Sequence, residues 1–260
     1  MLYKTTHFVT LLALLFGCHT LSAQQSAENG EPTVGKGFFM VGWQQLDVDD
    51  LNDRLNGNGF PSFSPNMLTI GGGGWATFGS GLVIGGEGHG LIGGKETTSD
   101  AILRSQLAGG YGMLNVGYRA YAGERMDVTP LVGFGVGALS MEVRKRGSLT
   151  FDDALADPLT GTSLSAGGFL FDVSAVAAVR VTGHADDGEG SAGGVSLGMR
   201  TGYAYSPADW DWKHGDVDVP GGPGMGVRGF YVRLMIGGTG SGLVSSAAGR
   251  EAAPPSALQG

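Results

Sequence analysis

Between Phe169 and Val181 every second residue is apolar: Phe169, Phe171, Val173, Ala175, Ala177, Val179 and Val181 fall on one parity, and Asp172, Ser174 and Arg180 on the other. Side chains alternate between the two faces of a strand, so this spacing predicts a strand with one greasy face and one small or charged face. The next segment repeats the pattern. Val195, Leu197, Met199, Thr201, Tyr203 and Tyr205 alternate with Ser196, Gly198, Arg200, Gly202 and Ala204, and the last segment sets Phe230, Val232, Leu234 and Ile236 against Arg233. Five earlier segments are compatible with strands: Lys36 to Gln45, Met67 to Phe78, Leu82 to Ile92, Leu103 to Tyr121 and Val128 to Arg144. In the fifth, Val132, Phe134, Val136 and Ala138 oppose Gly133, Gly135 and Gly137, which leaves one face almost free of side chains. In the second and third, glycine falls on both faces and thins the apolar one.

The connections between these eight segments alternate in length. Gly79-Ser80, Ala122 to Asp127 and Gly183 to Ala192 are short or intermediate; Leu46 to Asn66, Gly93 to Ile102, Lys145 to Gly168 and Ser206 to Met225 are longer. Short turns on one side and long loops on the other are the mark of an up-and-down barrel spanning a membrane, with both termini on the turn side. The expectation is an all-β chain folded as an up-and-down antiparallel transmembrane β-barrel of about eight strands. No apolar run after the leader reaches the roughly 18 residues a membrane helix needs. Aromatic residues near segment ends fit the headgroup level of such a barrel: Phe38, Trp43, Trp75, Phe78, Tyr118, Tyr121, Phe169, Phe171, Tyr203, Tyr205, Phe230 and Tyr231.

The N-terminal stretch adds a cellular address. Lys4, the apolar run from Phe8 to Phe16 and Leu21-Ser22-Ala23 before Gln24 read as a signal peptide over residues 1–23. A competing reading is a lipoprotein leader acylated at Cys18, the only cysteine. The expected organisation is then a polar lead-in over 24–35, the barrel over 36–238 and a glycine-, alanine-, serine- and proline-rich tail over 239–260. With a net charge of −8, a pI near 5.0 and no lysine or arginine cluster, nucleic acid is a poor partner.

The leader, strand number and turn asymmetry resemble the small eight-stranded bacterial outer-membrane barrels of the OmpA-like and OmpX-like architecture. The resemblance implies the outer membrane of a Gram-negative-type bacterium, membrane lipid as surroundings and a monomer. It also implies an interior filled by side chains. One departure is that family members commonly end on a terminal aromatic, whereas here Ile236 precedes the long tail. Some barrels of this size class hydrolyse lipid, but no His-x-Ser pattern occurs at His89, His184 or His214. The expectation is therefore a non-enzymatic protein without catalytic, metal or cofactor residues.

Charges facing a filled interior must pair. Arg180, Arg200 and Arg233 are expected to meet Asp172, Glu87 and Glu142 there, with His89 two residues from Glu87 and so on the same face. Among the loops, Asp47 to Asp53 predicts a short helix capped by Asp47, and Asp152 to Pro158 a second helical turn. Trp210 and Trp212, flanked by charges, are expected either to anchor in the lipid interface or to contact an extracellular protein or glycan. The functional expectation is a structural or surface-interaction role, adhesion or recognition. The alternatives are a narrow channel for small solutes and a soluble or Cys18-lipidated exported barrel with a ligand.

Overall fold

The computed structural model describes residues 34–97, 103–145, 161–182 and 194–241. The leader, the tail beyond residue 241 and the expected helical turn at Asp152 to Pro158 lie outside these residues. Eight long strands follow one another: β1 (Val34–Gln45), β2 (Asn66–Thr77), β3 (Leu82–Thr97), β4 (Leu103–Tyr118), β5 (Met126–Lys145), β6 (Gly161–Arg180), β7 (Gly194–Tyr205) and β8 (Gly229–Ser241). Each pairs antiparallel with its sequence neighbour, and β8 returns to β1, so the sheet closes and its main edges vanish. The fold is all-β, an up-and-down antiparallel barrel.

The stagger can be followed residue by residue. Val34 pairs with Thr77, then Val83, Gly117, Leu131, Ser174, Gly202 and Tyr231, and Tyr231 pairs with Gln44. One circuit thus climbs from Val34 to Gln44, ten residues along β1. With ordinary strand rise and spacing this stagger tilts the strands by about 40° to the barrel axis.

Parity decides what faces where. Large outward side chains are exposed on every strand, including Phe39 and Trp43 on β1, Phe134 on β5, Phe169 and Phe171 on β6 and Leu234 on β8. Inward ones are buried. The aromatic expectation divides on the same rule: Trp43, Tyr118, Phe169, Phe171, Tyr203, Tyr205 and Phe230 point outward, but Phe38, Trp75 and Tyr231 are core residues. Proximity to a strand end was the wrong signal; parity was the right one.

Glycine makes the interior packable. At Gly42, Gly73 and Gly85 an added Cβ would run into the backbone of the neighbouring strand beside a large inward residue: Arg233, Glu87 and Trp75 respectively. Bulky side chains lean across the strand next to them, and only glycine leaves the room.

Several boundaries differ from expectation. β6 starts at Gly161, because Gly161 to Gly168 continues the strand where the outer face has become polar and the apolar alternation stops. β3 extends to Thr97 past a register shift between Ile92 and Lys95, so residues 93–97 of the expected long loop at 93–102 belong to the strand. In the first loop a helix, α1, spans Asp49–Gly57, but Val48 occupies its N-cap and no side chain caps it, so Asp47 is not the cap. Asp49 and Asp50 still place negative charge on its first turn, where the helix dipole favours it. The turn between β2 and β3 is closed by Gly81 at φ 90°, a left-handed position suited to glycine.

Candidate functional site

The barrel interior is layered. At the turn end, Phe38, Met40, Trp75, Val83, Leu131, Val176, Ala178 and Met235 form an apolar plug. At the loop end a larger apolar cluster joins wall residues such as Met67, Leu91, Leu107 and Leu170 to Leu51 and Leu55 of α1 and to Trp210, Trp212, Met225 and Val227 of the last loop. Between the plugs lies a polar layer centred on two arginines, Arg200 and Arg233, both fully buried.

Arg200 on β7 forms an ion pair with Glu87 on β3 and donates from Nη2 to Asp172 Oδ1 at 2.9 Å and Asn115 Oδ1 at 3.2 Å. Its Nε donates to the Ser174 and Tyr231 hydroxyls at 3.2 and 3.1 Å. Ser174 in turn donates to Asp172 Oδ1 at 2.8 Å. Arg233 on β8 donates to Gln44 Oε1 at 2.8 Å and to the Tyr111 hydroxyl, and its guanidinium lies 3.7 Å from the Tyr231 ring centroid. His89 bridges the two halves, with Nε2 3.4 Å from Glu87 Oε1 and 3.5 Å from Arg233 Nη1. Two guanidiniums and two carboxylates cancel, which is the condition under which charges tolerate burial.

Of the seven interior residues expected from sequence, the structure brings together Glu87, His89, Asp172, Arg200 and Arg233. Glu142 is not among them. Its even parity in β5 matches Phe134 and Val136, so it points outward above the apolar zone and pairs with Arg144 at 3.5 Å. Arg180 has inward parity but sits on the turn-end rim, where it donates to the Glu124 carbonyl at 3.0 Å. Gln44, Tyr111, Asn115, Ser174 and Tyr231 complete the layer and were not anticipated. The usable signal was their inward parity at the level of the arginines, which requires the ring-wide register and not just one strand's pattern.

Trp210 and Trp212 also depart from expectation. Both are buried in the loop-end plug and unavailable to lipid or to a partner. Gly137 and Gly168 leave the space for the Trp210 indole, and Trp212 Nε1 donates to the Pro223 carbonyl at 2.9 Å. The loop doubles back over the barrel mouth, held by Arg228 to Asp209 at 2.7 Å and by Ser206 Oγ, which accepts from the Val227 amide at 2.9 Å.

Among the described residues, no group of three or more His, Cys, Asp or Glu side chains is placed to hold a metal ion. Glu87 and Asp172 are both engaged by Arg200. Chemically the polar layer is a cross-brace: Arg200 and Arg233 tie β7 and β8 to β1, β3, β4 and β6 through the barrel lumen.

No protein-family model matches the chain, and no curated protein is similar to it in sequence. Among solved structures it is similar to Ail, the attachment invasion locus protein of Yersinia pestis, at 11% identity and a TM-score of 0.35 over 82% of this chain and 97% of that one. It is also similar to the outer-membrane protease OmpT of Escherichia coli, at 8% identity and a TM-score of 0.30 over 82% and 96% of the two chains. For the translocator domain of the autotransporter NalP of Neisseria meningitidis the values are 10% identity and a TM-score of 0.30, over 90% and 97%. By its own topology the chain is a closed, eight-stranded, up-and-down antiparallel β-barrel, the architecture of the small bacterial outer-membrane barrels.

Proposed function

We propose that this protein is an integral outer-membrane barrel of a Gram-negative-type bacterium, a plugged scaffold that supports the envelope and presents its loop end for adhesion or recognition. The observation that carries the reading is the inversion of the surface. All eight strands expose large apolar side chains, such as Val132, Phe134 and Val136 on β5, in a continuous belt, while Glu87, Asp172, Arg200 and Arg233 are sealed inside. A continuous apolar belt of this extent marks contact with lipid, since soluble monomers rarely expose patches above a few hundred Å². The outward run Val195 to Tyr205 is eleven residues, the length of a tilted membrane strand.

The recognition role is supported by what rises above the belt. β5 and β6 each run 20 residues against 12 in β7, so one wall overtops the barrel and turns polar outside, with Ser140, Glu142, Arg144, Ser163 and Ser165. Leu51 and Leu55 of α1 join the loop-end core, giving the loop end a fixed shape. A narrow channel is the weaker reading, because two apolar plugs bracket the polar layer. A soluble or Cys18-lipidated carrier disagrees with the exposed belt.

The test is partition and migration of the mature protein. Retention in carbonate-washed outer membranes and faster gel migration before boiling are the expected results. A protein that washes into the soluble fraction and migrates identically before and after boiling refutes the proposal.

A further inference from the structure

The outward glycines of β2 to β4 divide into two kinds when a Cβ is added to each. At Gly88, Gly90 and Gly112 it would come no nearer than 3.8, 3.7 and 3.7 Å to any atom of the chain, ordinary contact distances. These positions have no positive φ. The fold therefore does not require glycine there, unlike at Gly72 or Gly110, where the Cβ would come within 2.6 and 2.9 Å of a neighbouring strand's carbonyl oxygen. Glycine in a strand is less stable than alanine, and here it also removes apolar surface from the lipid-facing side. The result is a furrow of about 350 Å³ lined by Phe39, Ile70, Gly72, Gly88 and Gly90.

Fluid acyl chains wet any contour and need no such furrow. A rigid body does, because association inside a bilayer rests on close packing, which small residues permit. The chain carries the matching ridge on the adjoining strand: Phe39, Val41 and Trp43, all outward and exposed. Phe39 pairs with Gly72, which pairs with Gly88. Ten residues of stagger over eight strands lowers the level by about two to three residues across two strands. Phe39, Val41 and Trp43 thus stand at the heights of Gly86, Gly88 and Gly90.

We propose that this face docks a second copy of the chain about a two-fold axis along the membrane normal, with the ridge of each copy seated in the furrow of the other. An axis passing in front of β2 sets β1 of one copy opposite β3 of its partner at equal height, as a self-complementary two-fold contact requires. The barrels touch along β2, where Gly72 and Gly74 bring the backbones close. On either side, where two cylinders diverge, the large β1 side chains fill the gap over the β3 glycines. Three strands at ordinary spacing and a belt about 25 Å tall give about 360 Å² per copy. The total of about 700 Å² lies in the range of weak, transient contacts, so the dimer is reversible. This inference rests on the integral-membrane reading and revises the monomer expected from sequence.

The test uses the full chain in a Cys18→Ala background. V41C combined with G88C places two thiols on alternate strands, too far apart to bridge within one barrel. Oxidation in native membranes is expected to yield a covalent dimer, whereas L197C on the opposite wall gives at least ten-fold less. In lipid vesicles, single-molecule photobleaching of Gly88→Leu is expected to show a dimer fraction at least ten-fold below that of the parent, with heat-modifiable migration retained. Crosslinking no greater than at the L197C control, or a parent protein that stays monomeric at every protein-to-lipid ratio, overturns the dimer. Loss of the protein from carbonate-washed membranes would instead overturn the membrane reading beneath it.

Discussion

Replacing Arg200 with methionine probes the cross-brace directly. The side chain is fully buried and its guanidinium is the cation for Glu87 and Asp172, besides donating to Asn115, Ser174 and Tyr231. Methionine keeps much of the volume and removes the charge. What remains is a pair of carboxylates between two apolar plugs, with Arg233 and His89 as the nearest counter-groups. Breaking a buried pair by deleting one partner costs about 3–5 kcal/mol, which is a factor of roughly 10² to 10³ or more in the folding equilibrium. The assay is the urea midpoint for folding into detergent or vesicles, read by the mobility difference between unboiled and boiled protein. A double variant, Arg200→Met with Asp172→Asn, separates charge from shape, because Glu87 and Arg233, linked through His89, then balance each other. Because fully apolar or neutral replacements of buried ion pairs are often close to neutral, it is expected to recover most of the loss. If Arg200→Met alone costs less than about 1 kcal/mol, or the double variant is no better than the single one, the layer does not function as an ion-paired brace.

Other parts of the structure give separate tests. Trp210→Ala is expected to cost about 3–5 kcal/mol by opening a cavity between Gly137 and Gly168, lowering the same urea midpoint; an unchanged midpoint would return the indole to the surface. Gly135→Ala forces a Cβ against the Gly112 carbonyl and is expected to destabilise by about 1–3 kcal/mol, whereas Gly88→Ala, with open space around it, stays within about 0.5 kcal/mol of the parent or gains stability. Purified protein in planar bilayers is expected to show no stepwise conductance; discrete steps that vanish on covering the mouth would revive the channel reading.

What the sequence made legible was whatever depends on the period of two within a strand. β6 and β7 were readable almost residue by residue, and Asp172, Arg200 and Arg233 were placed inward by that rule alone. Glu142 was misplaced because pairing of opposite charges was allowed to outweigh its own parity. Tyr111 and Gln44 were missed because their role is set by the ten-residue stagger, a property of all eight pairings together. The tryptophans failed for a different reason. Trp-Asp-Trp flanked by charge reads as surface, and only the return of the chain through Met225 and Val227 to β8 shows that the indoles fill the barrel mouth. Beyond the membrane zone, Gly161 to Gly168 lost its apolar alternation though not its strand hydrogen bonds.

The proposed recognition role would draw on loops that are already ordered. A loop free in solution must be ordered on binding, at about 0.5–1.5 kcal/mol for each immobilised side chain. Here the two long loops that the structure describes, 46–65 and 206–228, are anchored before any partner arrives. Leu51, Leu55 and Phe63 of one, and Trp210, Trp212, Met225 and Val227 of the other, belong to a single core with the barrel wall. Asn52 adds a clasp, donating to the Phe63 carbonyl at 3.0 Å and accepting from the Phe63 amide at 2.7 Å. The loop-end plug therefore also rigidifies the outer surface of the barrel. On the proposed recognition role, mutations inside the plug are expected to weaken binding without touching a contact residue, because they release loops whose shape the core had fixed.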